Sequence, residues 1–176
     1  MESILDVYMR RSDEMGEAIS REMGAPIEMS KVQQSGTGSF HLKAFIQSLK
    51  DFEFEGSLRA GEDDTRIIHE PIGVCALITP WNWPMNQITL KVIPALATGC
   101  TMILKPSEQS PLSAILFTEI MHEAGVPAGV YNMLNGDGPG VGSQFAAQKD
   151  VDLVSFTGST RAGRAVTSAA AEAIQL

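Results

Sequence analysis

A 176-residue chain with 44% hydrophobic residues is long enough for one ordinary globular domain with its own core, or one domain plus an appendage. Its net charge of −8 and pI of about 4.8 argue against nucleic acid or an anionic membrane as the main partner. No apolar run reaches the length of a membrane span, and the start, "MESILDVYMRRSDEMGEAIS", mixes acids and bases without the apolar core of a secretory leader.

In chain order, Ile4, Leu5, Tyr8, Met15, Ile19 and Met23 recur at roughly helical spacing with charges between them, so an amphipathic helix ending at Gly24 is expected. A second helix is expected through "SFHLKAFIQSLKDF". The stretch "FEFEGSLRAGEDDTRIIHEPIG" places a turn-rich middle, Gly61 to Asp64, between two extended runs and reads as a hairpin-like arm.

From Gly73 a strand–helix rhythm begins. "GVCALITP" reads as a buried strand, and "MNQITLKVIPALATG" as a helix stopped at Gly99 and kinked or divided at Pro94. "CTMILKPS" is a strand, and "SPLSAILFTEIMHEAG" a helix with Ser110 as cap candidate, Pro111 at the first position and Gly125 past the end. "VYNMLNG" and "VDLVSFTGS" are strands, and "VGSQFAAQK" and "RAGRAVTSAAAEAI" are helices. Four strands alternating with four helices require crossover connections, hence an α/β fold with a parallel sheet covered on both faces. The expected division is residues 1–52 as N-terminal helices, 53–70 as the arm, and 71–176 as a Rossmann-like nucleotide-binding domain.

Parallel sheets bind ligands at the carboxyl ends of their strands, so the loop leaving each strand carries information. The first strand leads into "TPWN", the second into "KPSE", the third into "NGDGPGVG" and the fourth into "FTGST". In the fourth, Gly158 allows close backbone approach, and Ser159 and Thr160 stand beside the free N–H groups of a helix start, a setting for a phosphate. The same hydroxyls equally suit a cap of their own helix. The third loop lacks the usual dinucleotide fingerprint, because Pro139 interrupts it and its third glycine is misplaced; an ordinary turn is the alternative. In the second, Lys105 and Glu108 flank Pro106 and Ser107. A carboxylate there suits both hydroxyls of an adenosine ribose and repels a 2′-phosphate, and a surface ion pair is the alternative. In the first, Asn82 lies between Trp81 and Trp83, bracketed by Pro80 and Pro84. A neutral amide held still is a good donor to a developing oxyanion, and it would also serve as a helix cap.

Taken together, "EPIGVCALITPWNWP", "LKVIPALATGCTMILKPSEQSPLSA", "AGVPAGVYNMLNGDGPGVG" and "VDLVSFTGSTRAGRAV" resemble the NAD(P)-dependent aldehyde dehydrogenase superfamily, in its order and spacing and over nearly the whole chain. The resemblance implies that Asn82 is the amide completing an oxyanion hole. It implies that Ile78, Thr79, Pro80 and Trp81 line the cofactor cleft, and that Lys105, Ser107 and Glu108 form the strand-end segment that binds the adenosine ribose. Gly138 and Gly142 fall beside the adenine, Thr157 and Gly158 near the nicotinamide, and Ser159 at the pyrophosphate. Lys91 matches a lysine placed in a charge relay, with helical burial beside a carboxylate as the alternative. The implied cofactor is NAD, with NADP possible, and the implied partners are an aldehyde substrate and copies of the same chain in a homodimer or homotetramer, the arm at 54–68 starting the oligomerisation hairpin.

The implied chemistry is aldehyde oxidation: a cysteine thiolate attacks the aldehyde, the thiohemiacetal passes hydride to the nicotinamide, and a glutamate-activated water hydrolyses the thioester. The family's Glu-Leu-Gly-Gly segment and its nucleophilic cysteine are absent from this sequence. Cys75, in an apolar strand, and Cys100, at the end of the sheet opposite the rim, read as buried small hydrophobes. They show no metal-ligand spacing, and two cysteines make no disulfide framework in a chain this long, so no metal and a reducing cytoplasm are expected. The chain alone is therefore expected to be inactive, as part of a longer aldehyde dehydrogenase. The alternative is a non-catalytic nucleotide-binding or subunit-interaction module.

Overall fold

The computed structural model describes residues 1–59, 61 and 64–173. The expected turn at 61–64 therefore lies partly outside the described residues, as does the end of the last helix at 174–176.

The first amphipathic stretch is two helices, α1 (Glu2–Arg10) and α2 (Ser12–Met23), rather than one. The break is at Arg11, whose backbone (φ −102°, ψ 14°) leaves the helical region. Its guanidinium instead reaches Glu14 at 2.8 Å and Glu119 at 2.7 Å, tying the bend to a distant helix. The apolar stripe survives, with Ile4, Tyr8, Met15 and Ile19 buried in one core. Helix α2 ends as the sequence indicates, at Gly24 with φ 74°, a left-handed conformation that glycine adopts without steric cost.

A short turn, α3 (Ile27–Met29), and a π-helical turn (Ser30–Gln34) lead into α4 (Ser35–Asp51), which starts four residues earlier than expected. Gly36 and Gly38 weaken a helix on propensity, but a side chain at 38 would collide with the buried Tyr8 ring. Packing overrides propensity there, and Tyr8 donates from its hydroxyl to the Ser35 carbonyl at 2.8 Å. The arm is a two-stranded antiparallel ribbon, β1 (Glu55–Ser57) against β2 (Arg66–Ile68), with Gly56 opposite Ile67.

The nucleotide-binding-type sheet has four parallel strands in the order β5-β4-β3-β6. They are β3 (Val74–Ile78), β4 (Thr101–Lys105), β5 (Tyr131–Met133) and β6 (Leu153–Phe156). Their connections are α5 (Pro84–Ala97), α6 (Pro111–Glu123), and a π-helical turn (Gly138–Gly142) leading into α7 (Ser143–Ala147); α8 (Thr160–Ala173) comes after β6. Alternation along β3 separates the two faces. Cys75 and Leu77 join the large core shared with α1, α2, α4, α5 and α6, while Ala76 and Ile78 pack with Phe145 and Val151 on the other side.

Two local expectations are narrowed or corrected. Of the two readings of Pro94, a kink or a division, the division is excluded, because α5 is continuous to Ala97. Proline sits in the last turn, where its missing N–H strands one carbonyl, that of Leu90, on a residue 42% exposed. Ser110 occupies the N-cap position of α6, but its hydroxyl is buried and bonds nothing among the described residues. The cap comes from α2: the Glu22 carboxylate accepts from the N–H of Leu112 at 2.6 Å and of Ser113 at 3.1 Å, and from the Ser113 hydroxyl. A carboxylate suits the positive end of the α6 dipole, and it stitches two helices together. Burial raises the Glu22 pKa above its ordinary value, against the pull of the Ser113 and Leu112 donors.

Candidate active site at the strand-end rim

The strand register brings the loops to one edge. Ile78 at the end of β3 pairs with Lys105 at the end of β4 and with Phe156 at the end of β6. The ladder runs on past the strands: Thr79 N–H donates to the Lys105 carbonyl at 3.3 Å, and Thr157 N–H to the Ile78 carbonyl at 3.1 Å. "TPWN", "KPSE" and "FTGST" therefore leave the sheet side by side. The Gly138–Gly142 turn adjoins them, because a side chain at Gly142 would meet the Lys105 stem at 3.8 Å.

Ile78 and Thr79 are buried, Pro80 is half-buried and Trp81 is 46% exposed. Asn82 is exposed, and it is not a cap: Trp83 takes the N-cap position of α5, and no side chain makes the cap bond. Among the described residues nothing engages the Asn82 amide, so its donors stand free on the rim. What holds the loop is α4. The Trp83 indole N–H donates to the Thr37 hydroxyl at 3.3 Å, and His41 Nε2 meets Asn86 Oδ1 at 2.8 Å. Pro84 at the first helical position stiffens the same corner.

Lys105 is 2% exposed, and its Nζ donates to Glu108 Oε2 at 3.1 Å. Glu108 is half exposed, and its carboxyl is held below the ordinary value by its own backbone N–H and by Lys105. The Ser107 hydroxyl accepts from the N–H of Gln109 at 3.2 Å. Asp137 caps the Gly138–Gly142 turn by accepting from the Gly140 N–H at 2.7 Å.

At the start of α8, Ser159 is a cap in geometry: its hydroxyl accepts from the Ala162 N–H at 3.3 Å. The helix-start N–H groups of Thr160 and Arg161 keep no intrahelical partner. Gly158 is packed over the Phe156 ring, where a Cβ would stand 2.5 Å from Cζ. Lys91 lies on α5 behind the rim. Its partner is the hydroxyl of Ser155 on β6 at 2.8 Å, with no carboxylate paired to it among the described residues, and burial lowers its pKa.

The set fits a dinucleotide. A buried ammonium beside a half-exposed carboxylate suits a ribose diol, free N–H groups at a helix start suit a pyrophosphate, and glycines at 142 and 158 keep side chains out of the approach. The cysteines are elsewhere. Cys75 and Cys100 are 3% and 4% exposed at the opposite end of the sheet, and burial together with Cys100 pushes the Cys75 thiol up to about 12.

The sequence pointed to the rim, but not to Thr37, His41, Asn86 or Glu22, each joined to its partner across 45 or more residues. Asp137 did carry a signal, an aspartate opening a glycine-proline turn.

Residues 1–176 match the aldehyde dehydrogenase family. The chain is 52% identical to a 3-succinoylsemialdehyde-pyridine dehydrogenase of a Pseudomonas species over 176 residues, covering 99% of this chain and 36% of that protein. It superposes with a TM-score of 0.97 and 53% identity on an aldehyde dehydrogenase from Bartonella henselae, covering 99% and 37% of the two chains. With a mutant of aldehyde dehydrogenase C from Pseudomonas syringae, in complex with NAD+ and octanal, the TM-score is 0.95 at 48% identity, covering 99% and 35%. The chain thus spans about a third of the length of these relatives, and it belongs to the aldehyde dehydrogenase family.

Proposed function

We propose that this chain forms most of the cofactor-binding part of an NAD-dependent aldehyde dehydrogenase, and that the enzyme carrying it oxidises an aldehyde to a carboxylic acid. The observation that supports this best is the common rim, where the register Lys105–Ile78–Phe156 aligns an amide, an ammonium–carboxylate pair and a helix start along one edge. NAD, when bound, supplies the hydride acceptor. Lys105 and Glu108 bind the adenosine ribose, and the Glu108 charge disfavours a 2′-phosphate. Ser159 and the first turn of α8 receive the pyrophosphate, with Gly138 and Gly142 beside the adenine and Thr157 and Gly158 towards the reacting ring. Ile78, Thr79, Pro80 and Trp81 wall the cleft.

Asn82 donates to the oxygen of the aldehyde as it becomes an oxyanion. A donor of this kind contributes on the order of 3 kcal/mol to lowering the barrier. Its freedom from any cap, and the anchoring of its loop by Trp83, suit that task, since a misplaced donor stabilises little. Lys91, a half-buried cation held by the Ser155 hydroxyl on β6, supports the loop electrostatically from behind. The nucleophile is assigned to sequence outside this span, because Cys75 and Cys100 are buried far from the rim and the Cys75 thiol stays protonated. A reducing cytoplasm is the proposed setting. The β1–β2 arm, with Leu58, Ile67 and Ile68 exposed, is the proposed contact between copies.

The test is NADH formation followed by absorbance. The full-length protein oxidises aldehydes, and the 176-residue chain alone does not. Turnover by the chain alone would place the nucleophile within these residues and overturn its assignment to sequence outside them.

A further inference from the structure

The Thr37 hydroxyl is engaged from both sides. It donates its single proton to the Gln34 carbonyl at 2.7 Å, so its oxygen is left to accept. The Trp83 indole N–H, which can only donate, reaches that oxygen at 3.3 Å from 46 residues away in sequence. Trp83 is half-buried at the N-cap position of α5, one peptide bond past the exposed Asn82. Pro84 follows it with a locked φ. The corner that carries Asn82 is thus fixed twice on its far side, once in the backbone and once by the indole on α4. Among the described residues nothing engages the Asn82 amide, so its aim is inherited from that mounting.

The mounting is stiff in its own right. The π-helical turn before α4 closes with the Ser35 N–H donating to the Ser30 carbonyl, five residues back, and such turns are frequent at functional sites. Directly after it, the Tyr8 hydroxyl donates to the Ser35 carbonyl at 2.8 Å. Gly38 lies so close to the same ring that a Cβ would stand 2.2 Å from the Tyr8 oxygen. Tyr8 is fully buried. It grips α4 on both sides of Thr37, and a continuous path runs from the core through Thr37 and Trp83 to the rim.

Resting on the oxyanion role proposed for Asn82, we infer that Thr37 is a positioning residue for aldehyde oxidation: its hydroxyl fixes the Trp83 indole, and with it the direction in which the Asn82 amide donates. Losing this bond loosens the corner without removing the donor. The cost therefore falls on the step in which the oxyanion forms, where a misplacement of about 1 Å can cost about 100-fold, and not on cofactor binding.

The test uses the full-length enzyme. Thr37→Val keeps the shape and removes the hydroxyl, and Trp83→Phe keeps an aromatic ring and removes the N–H. Each is expected to lower kcat by about tenfold with the KM for NAD unchanged, a part of the loss expected from deleting the amide itself. Thr37→Ser, which retains the hydroxyl, is expected to restore kcat. The decisive arm places Thr37→Val beside Asn82→Ala. No further loss is expected there, because no amide is left to aim, whereas a residue that only stabilised the fold would lower kcat alike in both backgrounds. The inference is overturned if Thr37→Val keeps the wild-type kcat, if Thr37→Ser behaves like Thr37→Val, or if the loss persists in full beside Asn82→Ala. An Asn82→Ala enzyme with unchanged kcat overturns the oxyanion reading itself, and this inference with it; a loss for Asn82→Ala with none for Thr37→Val removes Thr37 alone.

Discussion

Lys105 and Glu108 meet across a tight turn at the end of β4, Nζ to Oε2 at 3.1 Å, with the lysine side chain 3% exposed and the glutamate 52% exposed. The ammonium is buried and fixed, while the carboxylate remains open to a ligand. Glu108→Ala removes the charge that opposes a 2′-phosphate and leaves Lys105 to attract it. In the full-length enzyme the expected outcome is a narrowing of the NAD over NADP preference by about two- to fivefold, the size of one screened ion contact. Steady-state kinetics with both cofactors measures it, and an unchanged ratio takes Glu108 out of cofactor selection.

Among the described residues nothing engages Asn82, and it caps no helix, so its replacement should affect rate without affecting folding. Asn82→Ala is expected to lower kcat by about 100- to 1,000-fold, the usual loss for one oxyanion donor, with the melting temperature and the KM for NAD unchanged. A parallel loss of thermal stability would instead mean that the amide holds the loop.

The rim was legible in the sequence because strand, loop and helix start are contiguous there. Trp81–Asn82, Lys105–Glu108 and Gly158–Ser159 each sit within a few residues of the strand that positions them, and parallel topology forces them to the same edge. The features that sequence did not reveal have the opposite character. Glu22 reaches Leu112 and Ser113 across about 90 residues, Arg11 breaks its helix in order to pair with Glu119, and α4 tolerates Gly38 because of Tyr8. Pairings of that kind depend on tertiary packing, which neither periodicity nor propensity encodes. Pro94 does not divide its helix, since one stranded carbonyl on the exposed Leu90 costs little.

The Glu22 cap gives a pH signature. Its ordinary value is 4.5, and burial raises it in the folded chain. Just above pH 4.5 the folded chain therefore binds a proton that the unfolded chain has released, so this group's contribution to stability declines as pH rises through the raised value. Glu22→Gln removes the titration while keeping an acceptor for the α6 N–H groups. Thermal melts from about pH 4.5 to about pH 7 should show wild type losing stability relative to Glu22→Gln. Glu22→Ala should cost about 1 kcal/mol near neutrality, as lost caps do. A pH-independent difference between wild type and Glu22→Gln contradicts the assignment.

Lys91 and Ser155 join α5 to β6 at 2.8 Å. A double-mutant cycle with Lys91→Met and Ser155→Ala is expected to give a coupling of about 1.5–3 kcal/mol in unfolding free energy, as for a hydrogen bond to a charged group. Additive effects would mean that the contact contributes nothing to stability, leaving Lys91 with its electrostatic role alone.

One edge of the sheet, and not the other, is proposed to receive the dinucleotide. Amide chemical-shift mapping of the 176-residue chain titrated with NAD+ tests this most directly, and tolerates weak binding. Shifts confined to Thr79–Asn82, Lys105–Glu108, Gly138–Gly142 and Thr157–Arg161 are predicted, with residues around Cys75 and Cys100 undisturbed. Shifts clustered at the cysteine end of the sheet, or none at millimolar NAD+, would contradict a binding site on the strand-end rim.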